Sequence, residues 1–330
     1  MATYKGIQGY SVQKLSSDPT ASEAAGQLWY NSTTGKFKIS TEGAGAWSSG
    51  GALGTARYMV EATGTQGAAI IMGGNPGAQT NSETYNGTSW TEVNNLLQGR
   101  RNAASAGTQT AAMLFGGEGP AVPAGTALSE SYDGSSWTEG NDLTAVQQKW
   151  WGVGTSTAAF GFGGLTTGPG SLSTITQTWN GTSWTASGGL NTDRYWNAGS
   201  GTSTAALCFA GLTSAPTARD ETEIWNGSTW TEVNDLNTAR WGLSGAGTTT
   251  SALAIAGTPP AEGPSILAIT EKYDGTSWTE VGDLGSARYS AGSAGTAALG
   301  LYAGGYKGSA FTATEEWNDP VYTIKTVTVS

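Results

Sequence analysis

Tryptophan recurs at positions 47, 90, 137, 184, 230 and 278, and no other feature constrains this 330-residue chain as much. The gaps are 43, 47, 47, 46 and 48 residues. Six residues after each Trp stands Leu53, Leu96, Leu143, Leu190, Leu236 or Leu284. Ten residues after it stands Arg57, Arg100, Gln147, Arg194, Arg240 or Arg288. Seven further on is Gly64, Gly107, Gly154, Gly201, Gly247 or Gly295. Sixteen after the Arg position begins Gly73-Gly74, Gly116-Gly117, Gly163-Gly164, Ala210-Gly211, Ala256-Gly257 or Gly304-Gly305. From that pair to the next Trp position the spacing varies between 16 and 21 residues. A fixed period of this length marks one supersecondary unit stacked on copies of itself.

Each unit reads as four strands. The first follows the Arg, as in 58–63, and the spaced Gly turns it into the second, as in 68–72. A loop of variable length leads to a third strand such as 82–86. Asn86-Gly87, Asp133-Gly134, Asn180-Gly181, Asn226-Gly227 and Asp274-Gly275 then predict two-residue hairpins, since both residues tolerate φ > 0. The fourth strand carries the Trp. Four strands per unit of this length describe a propeller blade. Arg, Gly-Gly, an aromatic and Trp in this order and spacing resemble the kelch family, across residues 47–322. Gln147, Ala210, Ala256 and Tyr322 (in the sixth Trp position) depart from the pattern. The resemblance implies an all-β, six-bladed kelch-type β-propeller over 46–330, preceded by an attachment segment over 1–45. The strand with Trp47 is expected to close the ring, and the C-terminal stretch 321–329 to pack on the N-terminal segment.

Composition removes other classes. Charged residues are 12% and Gly is 51 of 330, unlike a coiled coil, and 14 Trp with 12 Tyr are unlike a disordered tail. A net charge of −10 argues against nucleic acid as a partner. Apolar runs reach about five residues, far short of the ~20 that span a bilayer. Residues 1–11 lack the basic and apolar stretches of a Sec leader. The chain has no His and one Cys, so His-based catalysis, disulfides and Cys-cluster metal sites are not expected. Cys208 lies in an apolar strand pattern and reads as core. Kelch-like propellers include a copper-radical oxidase family, whose His ligands and Cys–Tyr crosslink this chain cannot supply. Asp142, Asp193, Asp220 and Glu221 present no spacing that singles out a carboxylate pair. The reading is therefore a protein that is not an enzyme, with no cofactor and no metal.

Binding remains. The variable loops 75–81, 118–128, 165–174, 212–220 and 258–267 share one face with the connections between blades, a usual location for recognition. Tyr58, Trp150, Trp151, Tyr195, Trp196, Trp241 and Tyr289 follow the Arg position and are expected near the axis at that face, either stacking on sugar rings or packing between blades. Outside the repeat, Leu28-Trp29-Tyr30-Asn31 and Gly35-Lys36-Phe37-Lys38 form a predicted hairpin. Residues 26–39 resemble a module of tailed-bacteriophage virion proteins, especially tail fibres. That resemblance implies a virion location, docking to other virion proteins in multiple copies through Trp29, Tyr30, Lys36, Phe37 and Lys38, and no membrane insertion. The alternative is a carbohydrate-binding adhesin or receptor-binding tip recognising host surface glycans. Finally, Glu83, Glu130, Gln177, Glu223, Glu271 and Glu315 stand two residues before the third-strand aromatic. Gln147 and Gln177 replace both charges of one blade together. This predicts an Arg–Glu pair inside five blades and an amide–amide pair in the third.

Overall fold

The computed structural model describes residues 12–20, 24, 26–42, 45–120, 125–166, 171–214, 217–260, 265–319 and 322–327. The chain divides into two compact units, Ala46–Asn318 and Met1–Gly45 with Asp319–Ser330. The propeller region thus ends at Asn318, not at 330, because Tyr322–Thr326 pairs with Lys36–Glu42 in the smaller unit. Parts of four variable loops (121–124, 167–170, 215–216, 261–264) and residues 1–11 lie outside the described residues.

Every regular element among the described residues is a strand. Among the described residues the larger unit contains six four-stranded antiparallel sheets. Five follow chain order, as in Glu61–Thr65, Ala68–Met72, Ser82–Tyr85 and Trp90–Val93. In the last, Gly292–Gly295, Leu299–Ala303 and Thr314–Asn318 are completed by Ala46–Ser49 from the start of the unit. Trp47 faces Trp317 there, as Trp90 faces Tyr85 and Trp278 faces Tyr273 elsewhere. Tyr322 therefore does not occupy a sixth Trp position. These tryptophans also reach the neighbouring sheet. Phe115 lies 4.7 Å from Trp184 and Phe209 4.9 Å from Trp278, so large rings fill the wedges between sheets. Small residues on the innermost strands permit closure: a Cβ on Gly245 would sit 2.2 Å from Gly199 O. Each innermost strand touches the next, and the last touches the first.

The predicted two-residue hairpins are longer. Tyr85 pairs directly with Trp90, leaving a four-residue loop. Asn86 keeps negative φ, and only Gly87 turns positive. The Asn86 carboxamide oxygen instead accepts the amides of Thr88 (3.0 Å) and Ser89 (2.9 Å), an Asx turn that works by side-chain bonding. Asp133 does the same, and the Ser135 and Ser136 amides lower its carboxyl to about 2.

Arg57–Glu83, Arg100–Glu130, Arg194–Glu223, Arg240–Glu271 and Arg288–Glu315 are all paired, with every guanidinium buried. Each Glu has a second task. Its carboxylate accepts a backbone amide just after the repeat leucine, from Gly54, Leu97, Asn191, Asn237 or Gly285, at 2.6–2.7 Å. It thereby anchors the segment that enters its own sheet. Gln177 keeps that task, accepting Thr144 N at 2.8 Å. The predicted Gln147–Gln177 contact is replaced by separate bonds: Gln147 Nε2 donates to Ser173 Oγ at 3.1 Å, and Gln177 Nε2 to Ala145 O at 3.2 Å. Without charge on either side chain, nothing pulls them together.

Candidate functional site

Two residues after each Arg position the backbone turns left-handed. Met59, Asn102, Lys149, Trp196 and Ser290 have φ between 51° and 55°, and Gly242 has 63°. Their amides close a circle. Asn102 N donates to Met59 O (3.1 Å), Lys149 N to Asn102 O (2.8 Å) and Trp196 N to Lys149 O (2.8 Å). Gly242 N donates to Trp196 O (3.1 Å), Ser290 N to Gly242 O (2.8 Å) and Met59 N to Ser290 O (2.7 Å). This collar stitches all six innermost strands at one end of the axis. Non-Gly residues in this conformation are uncommon and accumulate at functional sites. The collar surrounds a pocket of about 40 Å³, whose deeper wall includes Glu61, Trp151 and Ser244.

Half-buried rings run around the mouth. Tyr195 is 5.4 Å from Trp196, which stacks on Trp241 at 4.7 Å; Trp241 meets Tyr289 at 5.5 Å. Tyr306 joins Tyr289 (5.8 Å) to Tyr58 (4.6 Å). The remaining arc is polar. Tyr58 OH accepts from Asn75 Nδ2 at 2.5 Å, and Asn75 Oδ1 accepts from Arg101 at 3.0 Å. Glu118 accepts Arg101 Nε at 2.8 Å and Asn102 Nδ2 at 3.1 Å, and pairs with Lys149 at 3.4 Å. Lys149 also lies 5.1 Å over Trp196.

Five of the seven aromatics singled out in the sequence thus join one belt. Trp151 sits deeper, in the axis. Trp150 takes the packing alternative: it is 2% exposed and edge-on to Phe115 of the preceding sheet. Tyr306, Glu61, Arg101, Asn102 and Lys149 escaped sequence reading, whereas Asn75 and Glu118 open two of the variable loops expected on the recognition face. The available signal was position: the residue two after the Arg is different in every copy. Cys208 is buried beside Asn197, and burial pushes its thiol up to about 12, as suits a core residue.

The smaller unit is one sheet, ordered Gln13–Leu15, Leu28–Asn31, Lys36–Glu42, Tyr322–Thr326. Its register sorts the predicted docking residues onto two faces. Lys14, Tyr30 and Phe37 are opposite one another, as are Leu28, Ile39 and Lys325. Phe37 is 43% exposed; Val12 and Val327, on the same alternation, are 41% and 39% exposed. Trp29, Lys36 and Lys38 occupy the opposite face. Trp29 is 2% exposed and donates to Asp18 at 3.0 Å, so it builds the sheet and is not a docking residue. Lys38 bonds Thr326 Oγ1 across the sheet at 2.9 Å.

The fold and the axial mouth define a β-propeller with a small axial depression at one end. No family model matches the sequence, and no curated protein matches it. Among solved structures the chain is similar to the structure of YjhT, with TM-score 0.70 at 13% identity, over 82% of this chain and 99% of that one. A likeness at that identity is one of fold.

Proposed function

We propose that this chain is a non-enzymatic structural component of a phage virion, tail or fibre associated, made of a six-bladed kelch-type propeller and a separate docking sheet. The observation that carries this reading is the exposed face of the smaller unit: Tyr30, Phe37, Leu28 and Ile39 flanked by Lys14 and Lys325. Aromatic and aliphatic side chains at the centre of a patch are what interface cores use. The smaller unit holds five of the fifteen basic residues and four of the twenty-five acids. Its excess is one positive charge on a chain of net −10, which suits an acidic neighbouring virion protein. The virion location rests on the resemblance of residues 26–39 to phage modules. Deleting residues 1–45 would strip Tyr322–Thr326 of its partner strand, so a point change is the sharper test. Phe37→Asp is expected to leave the thermal transition unchanged and to lower incorporation into particles about tenfold or more. Normal incorporation of a folded Phe37→Asp chain defeats the docking assignment.

A second reading concerns the propeller mouth. Half-buried rings beside Asn75, Arg101 and Lys149 offer apolar surface next to hydrogen-bonding groups, the combination that binds saccharides. On this reading the propeller recognises host surface glycans while the small sheet holds it in place. Binding on an array of neutral, basic and acidic glycans is expected, with Trp241→Ala lowering it about tenfold. An array with no binder removes this second reading and leaves the docking one.

A further inference from the structure

Among the described residues of the larger unit, six acidic side chains are buried: Glu83, Glu118, Glu130, Glu223, Glu271 and Glu315. Each is paired with Arg or Lys. Glu61 has no such ion pair among the described residues. It is half-buried, begins the innermost strand Glu61–Thr65 and lines the axial pocket. Its hydrogen-bond partner is the Ser105 hydroxyl, and burial pushes its carboxyl well above the ordinary carboxylate range. A lone carboxylate held this way is costly to ionise, and a cation brought to it removes the cost.

The surroundings specify the cation. The pocket holds about 40 Å³, room for a group of a few atoms and too little for a sugar ring. Trp151 and Trp196 contribute ring surface to it, which attracts ammonium groups. Lys149 is the other ionisable residue in the lining, and its ammonium is already engaged by Glu118 at 3.4 Å. Arg101, beyond the lining, is held by Glu118 as well. Trp196 belongs both to the pocket and to the aromatic belt, so a ring resting at the mouth can direct one substituent inward.

We propose that the axial pocket is a primary-ammonium site, in which Glu61 receives the free amino group of an amino sugar whose ring lies against the aromatic mouth. The assignment rests on the glycan reading and names its sugar class. In the unliganded protein burial favours the protonated form of Glu61. Capture of an R–NH3⁺ group as a carboxylate–ammonium pair releases that proton to solvent, with no bond to carbon made or broken. Affinity therefore rises with pH through the Glu61 titration and falls once the amine itself loses its proton.

Titration calorimetry of the full chain with glucosamine oligomers and with their N-acetylated counterparts tests this. The free-amine oligomer is expected to bind about tenfold or more tighter, the worth of one charge-assisted hydrogen bond. Its binding heat should vary with the ionisation enthalpy of the buffer, reporting proton release. Glu61→Gln, which keeps the shape of the side chain, should erase both the preference and the buffer dependence. Equal binding of the two oligomers, or a preference that survives Glu61→Gln, overturns the ammonium site while leaving glycan recognition in place. Binding of neither oligomer also overturns it, and the glycan array then decides the wider reading separately.

Discussion

Replacing Arg240 by Gln is expected to cost about 3–5 kcal/mol of stability, because it strands Glu271 as an uncompensated buried charge. Both side chains are 0% exposed, so water cannot take over the role of the guanidinium. The loss extends past the pair. Arg240 also donates to Thr238 O at 3.0 Å and to Ala254 O at 3.2 Å. Glu271→Gln alone should be milder than Glu271→Ala. An amide oxygen can still accept the Asn237 amide that the carboxylate now takes at 2.7 Å, as Gln177 does for Thr144 in the third sheet. The double variant Arg240→Gln/Glu271→Gln should lose less than the sum of the single changes, by an interaction energy of about 1–3 kcal/mol. The third sheet already carries this solution in Gln147 and Gln177, and it shows that the amides need not touch. Chemical denaturation of the four proteins in the cycle reads the result. Additive losses would mean that the charges act independently, and the explanation for the joint Gln147 and Gln177 exception would fall with them.

What could be read in the sequence follows from the same logic. Positions fixed by backbone geometry or by the shared interior recur in every copy. The Trp, the Leu, the Arg–Glu pair and the spaced Gly are therefore visible as a period, and so is ring closure through Trp47. The axial site is visible in no such way. It is built from the residues two to four after the Arg, and the first of these, Met59, Asn102, Lys149, Trp196, Gly242 and Ser290, share one backbone conformation and no side-chain chemistry. A period search discards such a column as noise. Only the ring, by bringing the six copies to one axis, turns their differences into a site with an acidic wall and an aromatic rim. Trp150 and Trp151 differ in degree: both line the axial pocket, but Trp150 is 2% exposed and packs edge-on to Phe115 of the preceding sheet. In the smaller unit the hairpin was legible from Asn31 to Lys36. The division of its residues between two faces depended on pairing with the distant strand Tyr322–Thr326, which local sequence does not announce.

Gly107→Ala should destabilise the larger unit by about 3 kcal/mol, at the upper end for a strained backbone position. Gly107 is the next-to-last residue of the first strand of its sheet, with φ of +116°, well outside the left-handed helical well near +57° that other residues can visit. A Cβ there would lie 2.1 Å from Ala111 O and 3.0 Å from Ala112 Cα, and both are backbone atoms of the paired strand. Relief requires opening the turn between Ala104–Thr108 and Ala111–Phe115, which loosens the innermost strand that the collar and both neighbouring sheets depend on. The Gly-Gly pair provides the contrast. Its first residue sits near φ +65°, and two copies already carry Ala there, Ala210 at +61° and Ala256 at +60°. In those sheets the second strand runs on, to Leu212 and Gly257, with a register shift at the Ala. Ala210→Gly should accordingly change stability by no more than about 1 kcal/mol, since the φ is compatible with either residue. Thermal unfolding of both variants separates the two kinds of glycine position. A small loss for Gly107→Ala, comparable with that for Ala210→Gly, would mean that the turn can open without disturbing the ring, and that the recurrence of this glycine has a cause other than the clash.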